Sequence, residues 1–292
     1  MKRLVSTKAV FAAMVIGLMA ASCGDDAVEG TKPGWQEGGS TGNHKVVAKI
    51  IEKSSSEGTV VWDGHIGEIS FSYDKQGRLA CITYSYDSED AVDKLEYLYE
   101  KNSVGISLTT WYNGIKDEED WDEYRVTLNE NGYAVSCVNS YNGENDGEVC
   151  MSSFECLYDS KDRLAKCVED NGSYDTYSWK NGCLVRCVRT YSTYGSWSCG
   201  YAYGQVKNNT NVDLNYFFDK EGALSEDVSI LGMAGLMGKR SEYMVRDYVN
   251  GNGCHVSLSY ELDEDESVRK VNSVLDEGSQ TLRYEYTIIY KQ

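Results

Sequence analysis

Three histidines, ten cysteines and 46 carboxylates are the side chains of this 292-residue sequence with the means to do chemistry. Their spacing decides how much they can do. A Ser-His-Asp or Cys-His site needs a histidine. His44 lies in a polar, Gly-rich stretch, which leaves His65 and His255, and neither stands near a nucleophile elbow or a cysteine-protease signature. There is no Cys-x-x-Cys and no His-Glu-x-x-His, so no zinc site is expected. The run Gly235-Leu-Met-Gly-Lys-Arg-Ser241 carries the Gly-Lys step of a phosphate-binding loop. Met233 stands where the first glycine belongs, however, and Arg240 where Ser or Thr should hold Mg²⁺. Acidic runs occur at Asp87 to Asp93, Asp117 to Asp120, Asn142 to Glu148 and Asp263 to Glu266. The third matches part of a calcium loop, but Ser153 replaces the bidentate Glu. All read as solvated turns. A glycan-cleaving hydrolase would need two of these acids about 5–10 Å apart, and this is the alternative reading of function. Two aromatic groups, Trp111, Tyr112, Trp121, Tyr124 and then Tyr191, Tyr194, Trp197, Tyr201, Tyr203, could form a platform for sugars or a protein partner. Cross-strand packing is their commoner use. No residue is assigned a catalytic, metal-binding or ligand-binding role, and no cofactor is expected.

One cysteine does have a defined chemistry. Lys2, Arg3 and Lys8 precede an apolar run of thirteen residues, Ala9 to Ala21, too short for a membrane span of about 20 residues. The run ends in Ala20-Ala21-Ser22-Cys23, which resembles a lipobox, with Ala20 in place of the usual larger aliphatic residue. Residues 1–22 are therefore expected to be a lipoprotein signal peptide cut between Ser22 and Cys23. Acyl chains on Cys23 would each add roughly 0.8 kcal/mol of membrane affinity per buried CH₂. Residues 23–45 are rich in Gly, Ser, Thr, Asp and Glu and hold the single proline, Pro33. They form a tether with a reach of about 25 Å.

Cleavage would remove three basic residues and no acidic ones, leaving 25 basic against 46 acidic, a net charge of −21. Such a field repels nucleic acid and excludes it as a partner. Twenty-three tyrosines, 28 glycines and one proline suit strands and tight turns.

The elements follow from a repeat. Phe71–Leu79, Val126–Tyr133, Cys156–Leu164, a shortened Tyr177–Leu184, Tyr216–Leu224 and a degenerate Ser259–Glu266 each read as strand, Asp-x-x-Gly-like turn, strand. Residues 46–292 are thus predicted to be one all-β domain, a long antiparallel meander of about sixteen strands. Its twist should curl it into a soluble barrel or a strongly curved sheet. Charges on both faces, such as Glu155, Lys166, Arg186 and Arg189, argue against a lipid-facing band. Cys137, Cys167 and Cys187 each fall five residues after a last turn position, the offset of Ile82 in the first repeat. They are expected to fill core slots as small hydrophobes, while Cys150 and Cys156 could pair with a neighbouring strand. Leu224, Val228 and Leu231 at helical spacing predict one short helix or ordered loop near 224–238.

The hairpin copies resemble tyrosine–aspartate repeats. The stretch Leu231-Gly-Met-Ala-Gly-Leu-Met-Gly-Lys-Arg-Ser241 is similar to a Leu-Leu-Gly-Lys-x-Ser stretch of a secreted Bacteroidetes lipoprotein family without assigned function, with Met237 and Arg240 departing from its pattern. The resemblance implies a porin-like β fold over roughly residues 65–290 and no catalytic residue. Asp25 and Asp26 after Cys23 look like that group's surface-export signal. The expectation is an outer-membrane lipoprotein, on the cell surface or the periplasmic face, held to the membrane through lipid on Cys23. It acts as a non-enzymatic binding or scaffold module for a glycan or envelope protein.

Overall fold

The computed structural model describes residues 45–292 except 59–65, 87–89, 143–147, 194, 220–223 and 279. Its strands are β1 (Val47–Gly58), β2 (Ile66–Tyr73), β3 (Leu79–Tyr86), β4 (Ala91–Tyr99), β5 (Ser103–Tyr112), β6 (Ile115–Leu128), β7 (Ala134–Asn142) and β8 (Val149–Tyr158). They continue with β9 (Leu164–Glu169), β10 (Tyr174–Lys180), β11 (Cys183–Tyr191), β12 (Gly195–Lys207), β13 (Tyr243–Val249), β14 (His255–Leu262), β15 (Val268–Asp276) and β16 (Gln280–Tyr290). Each strand pairs with its sequence neighbours, and β1 pairs antiparallel with β16, so the sixteen strands form a closed barrel. Closure removes the exposed edges that a meander of this length would otherwise carry.

Period-two sequence makes the wall. In β6, Glu123, Arg125 and Thr127 face out while Tyr124, Val126 and Leu128 are buried. The repeat makes the turns at one end. Asp74, Asn129, Asp159 and Asp263 open them, and each side chain accepts backbone N–H bonds from residues two and four positions on, at 2.9–3.0 Å. The fourth residue is left-handed, at φ +80° and +78° for Gly77 and Gly132, and +59° and +60° for Asp162 and Glu266. At all four of these turns the register shifts by one residue beside the turn, leaving a bulge at the start of the returning strand, in β3 (Leu79), β7 (Ala134), β9 (Leu164) and β15 (Val268). Asn181-Gly182, with φ +49° and +76°, makes the shortened copy a two-residue hairpin.

Tyrosines finish these corners. Tyr73 donates to the carbonyl of Val47 at 2.6 Å, Tyr158 to Ala134 at 2.7 Å and Tyr290 to Val268 at 2.6 Å; Tyr260 donates to Val245. Trp179 takes the same place, donating to Leu164 at 2.7 Å. Each ring points inward from at or near the end of one strand and caps a carbonyl of the strand before it, which for Tyr73, Tyr158, Tyr290 and Trp179 is the one at that strand's bulged start.

One copy of the repeat does not make a hairpin. Tyr216–Leu224 contributes to α1 (Leu214–Phe218), followed by α2 (Glu226–Met233) where a single helix or ordered loop was expected. Phe217 and Phe218 are both buried and pack on Tyr286 of β16, which consecutive strand residues pointing to opposite faces could not do. Asp213 caps α1 through Asn215, and Ser225 caps α2 through Val228. The segment from Asn208 to Glu242 reaches walls all round the barrel: Tyr97 of β4 donates to Ile230 O, Tyr248 of β13 to Phe218 O and Tyr158 of β8 to Leu236 O. It is a plug inside the lumen.

Candidate functional site: the plugged lumen

The plug is anchored at the end of the barrel that carries the repeat turns. Ser241 Oγ accepts from Leu184 N at 3.0 Å and lies 3.1 Å from Tyr203 Oη. Asn208 Nδ2 donates to Asp213 at 2.8 Å and to Ser241 O at 3.1 Å. Lys239 N donates to Asp162 O, and Gly238, at φ +84°, lies so close that a Cβ there would sit 2.6 Å from that same oxygen. Arg240 reaches Thr210 O at 2.6 Å. The Gly-Lys-Arg-Ser run is thus a structural latch, with its glycine and serine both used by the fold.

Beyond the plug the lumen turns polar. Asp122 of β6, Glu169 of β9, Asp175 of β10 and the α2 residues Glu226 and Asp227 converge there. Alternation explains the wall residues: Asp122 lies two positions from buried Tyr124, and Asp175 two from buried Tyr177. Arg189 of β11 bridges two of the acids, Asp175 Oδ2 at 3.3 Å and Glu169. Asn139 donates to Asp122 at 3.4 Å, and Tyr124 to Asp227. Burial pushes Asp175 up to about 6, with Glu169 adding to the shift and Arg189 opposing it. Burial likewise raises Asp122, Glu226 and Asp227, and the acids raise one another. Asp175 Oδ1 and Asn139 Oδ1 are buried without a hydrogen-bond partner.

This arrangement gathers carboxyl groups whose protonated form burial favours, and it offers acceptor oxygens. It does not present an acid and a base across a substrate. Arg189 pairs with Glu169 and Asp175 together, so the two act as arms of one ion triad. A cavity of about 20 Å³ among Trp179, Tyr203, Asp213 and Tyr216 has room for one water, far below the hundreds of Å³ a sugar-sized ligand fills.

The residues singled out by sequence scatter. Ser22, Cys23, His44, His65 and Tyr194 lie outside the described residues, as do parts of the Asp87–Asp93 and Asn142–Glu148 runs. His255 sits on the outer face, 3.7 Å from Asp247. The aromatic groups divide between the two faces of the wall: Tyr124 and Tyr201 are buried inside, whereas Tyr112 and Tyr191 are exposed. Asp263 and Asp265 pair with Lys45 at 2.7 and 2.9 Å. Cys137, Cys167 and Cys187 are buried as their offset from the turns implies, and so is Ile82 at the matching position of the first repeat. None of the nine described cysteines is disulfide-bonded, and among the described residues no group of His, Cys, Asp and Glu could hold a metal ion. Sequence missed the lumenal acids. The only signal for them was a carboxylate at an inward position of a strand, visible once the alternation is fixed by its buried neighbours.

No model of a known protein family matches the sequence, and neither does any curated protein. Solved structures do match. A porin-like protein from Bacteroides uniformis aligns with a TM-score of 0.59 at 15% identity, covering 84% of this chain and 98% of that one. A porin-like protein from Bacteroides vulgatus aligns with a TM-score of 0.55 at 14% identity, covering 85% and 99%. The chain therefore has the fold of these porin-like Bacteroides proteins.

Proposed function

We propose that the chain is a lipoprotein of the bacterial envelope, held at the outer membrane by lipid on Cys23, whose barrel is a non-enzymatic binding or scaffold module. The observation that carries this is the polarity of the wall. Lys49, Glu68, Lys94, Glu96, Glu123, Arg125, Lys166, Arg186 and Glu285 lie on outward positions along the strands, while the interior is apolar over most of its height. A lipid-spanning barrel needs the reverse, an apolar outer band about 25 Å tall. A barrel of this polarity needs a separate means of attachment, and the sequence offers one in the Ala-Ala-Ser-Cys23 run and its polar tether. The described barrel has porin-like relatives in fold, a packed lumen and no acid–base pair set across a cleft, which favours binding or scaffolding over glycan cleavage. Its partner would be a glycan or an envelope protein that tolerates a strongly acidic surface.

The test is metabolic labelling with a fatty-acid analogue in a bacterial host. The wild-type chain should take up label and fractionate with the outer membrane, and Cys23→Ala should take up none. Label retained by Cys23→Ala would overturn the anchoring. A glycan array and a pull-down from envelope extract, both with the full-length Cys23→Ala chain, address the partner. Release of reducing sugar in the array would overturn the non-enzymatic reading.

A further inference from the structure

Cys156 of β8 and Cys167 of β9 are direct cross-strand partners in the antiparallel register. Both point into the lumen and are buried, and their sulfurs lie 3.5 Å apart. Facing residues of an antiparallel pair have Cα atoms about 4.5–5.5 Å apart, within the range of about 4.4–6.8 Å that a disulfide spans. Small rotations of the two side chains are enough to bring the sulfurs to bonding distance, with the strands left in place.

We propose that Cys156 and Cys167 form an oxidative modification site, a dithiol that a disulfide oxidant converts into a cross-strand bond stapling β8 to β9. The chemistry is two successive thiol–disulfide exchanges. One cysteine, as thiolate, attacks a sulfur of the oxidant RSSR, forming a mixed disulfide and releasing RS⁻, which takes up the proton that the cysteine lost. The second cysteine then loses its proton and attacks the protein sulfur of the mixed disulfide, expelling a second RS⁻ that is protonated in turn. Two protein S–H groups are oxidised, and one RSSR is reduced to two RSH.

Access is the controlling step, since both thiols are buried. The place to open is β9, the shortest strand of the barrel, which pairs with β10 only at Val168, Cys167 and Lys166. The staple also has a location that matters. The β8–β9 turn it would lock is the one that docks the plug, through Lys239 N to Asp162 O at 2.8 Å and the bridge from Arg163 to Gly238. Tyr158, two residues from Cys156, reaches Leu236 O at 3.4 Å. Oxidation would therefore tighten the latch that holds the plug in the lumen. The proposal is independent of the membrane address.

The experiment incubates the full chain with oxidised glutathione or with dithiothreitol, unfolds each sample in denaturant with iodoacetamide, and maps the peptides by mass. The oxidised sample should yield one peptide pair joined through Cys156 and Cys167, lighter by two hydrogens than its parts. In Cys156→Ala that pair should vanish and Cys167 should carry glutathione instead. Hydrogen exchange on the two wild-type samples should show slower exchange at residues 236–241 after oxidation. Cys254, which is partly exposed, reports that the oxidant has acted. If Cys254 is glutathionylated while Cys156 and Cys167 are both alkylated, the site does not exist. A bond found only between Cys187 and Cys199, the other facing pair, would overturn it equally.

Discussion

Asp219 is a carboxyl group kept where a charge is expensive. Its Oδ2 accepts from Tyr201 at 3.3 Å and from Leu224 N at 3.1 Å, while Oδ1 is buried with no partner. Burial pushes it up to about 8, and those two hydrogen bonds only partly oppose the shift. In the unfolded chain the same group ionises near 3.9. Its stabilising contribution is thus fully present below about pH 4 and is lost as pH rises through about 8. Asp219→Asn keeps the acceptor oxygen and cannot ionise. It should match wild type below about pH 4 and pull ahead of it steadily as pH rises towards 8, by about 1.4 kcal/mol for each pH unit crossed, read from denaturant midpoints. Part of the slope should survive, because Asp175 and the other lumenal acids are raised in the same direction. An unchanged slope would mean that Asp219 is not buried as described. At this scale the sequence was informative where position could be counted from a turn. The offset that puts Ile82 inside also put Cys137, Cys167 and Cys187 inside. It was silent on Asp219, whose copy of the repeat reads like any other turn aspartate.

That same copy marks where local pattern gives way to packing. Asp219 heads a full-length Asp-x-x-Gly turn in sequence, yet the residues before it form α1, because Phe217 and Phe218 bury together against Tyr286. The other turns were legible because their stabilising bonds are local, made by a side chain to backbone two to four residues away. The tyrosine caps were not, since Tyr73 and Val47, or Tyr158 and Ala134, meet only after the strands pair. They give a role to four of the 23 tyrosines, which composition alone could only assign to strands. The two plug helices also approach each other closely. A Cβ on Gly232 of α2 would fall inside the Tyr216 ring of α1. In an exposed helix, Gly→Ala gains about 1 kcal/mol. Here the clash should win, and Gly232→Ala should destabilise by roughly 1–3 kcal/mol, seen as a lower melting temperature. A rise in melting temperature would show that the α1–α2 contact is loose.

At the scale of the whole molecule, the count of sixteen strands and their neighbour pairing follow from hairpin after hairpin. Closure does not, because it depends on β1 meeting β16 across more than 200 residues, from Val47 opposite Tyr290 to Ile51 opposite Thr287 and beyond. The ends are tied further by Lys291 N to Val46 O and by Lys45 to Asp263. In this closed ring no tight hairpin junction is privileged, the plug-bearing β12–β13 connection apart, provided the ring stays complete. A circular permutant that joins Gln292 to Lys45 by a short Gly-Ser linker should therefore fold. Its new ends can be placed between Asn113 and Gly114, at the exposed tip of the β5–β6 hairpin. Cooperative unfolding within about 2 kcal/mol of the parent is expected, since the severed turn contributes little beyond loop entropy. Deleting residues 279–292 should behave differently. It strips β16, exposes unpaired ladders on β1 and β15, and removes the Tyr286 surface on which Phe217 and Phe218 pack. That chain should aggregate or lose its cooperative transition, measured by sedimentation and by denaturant unfolding. A truncated chain that stays monomeric and unfolds cooperatively would show that the curved sheet is stable without being closed, and that the plug alone organises the core.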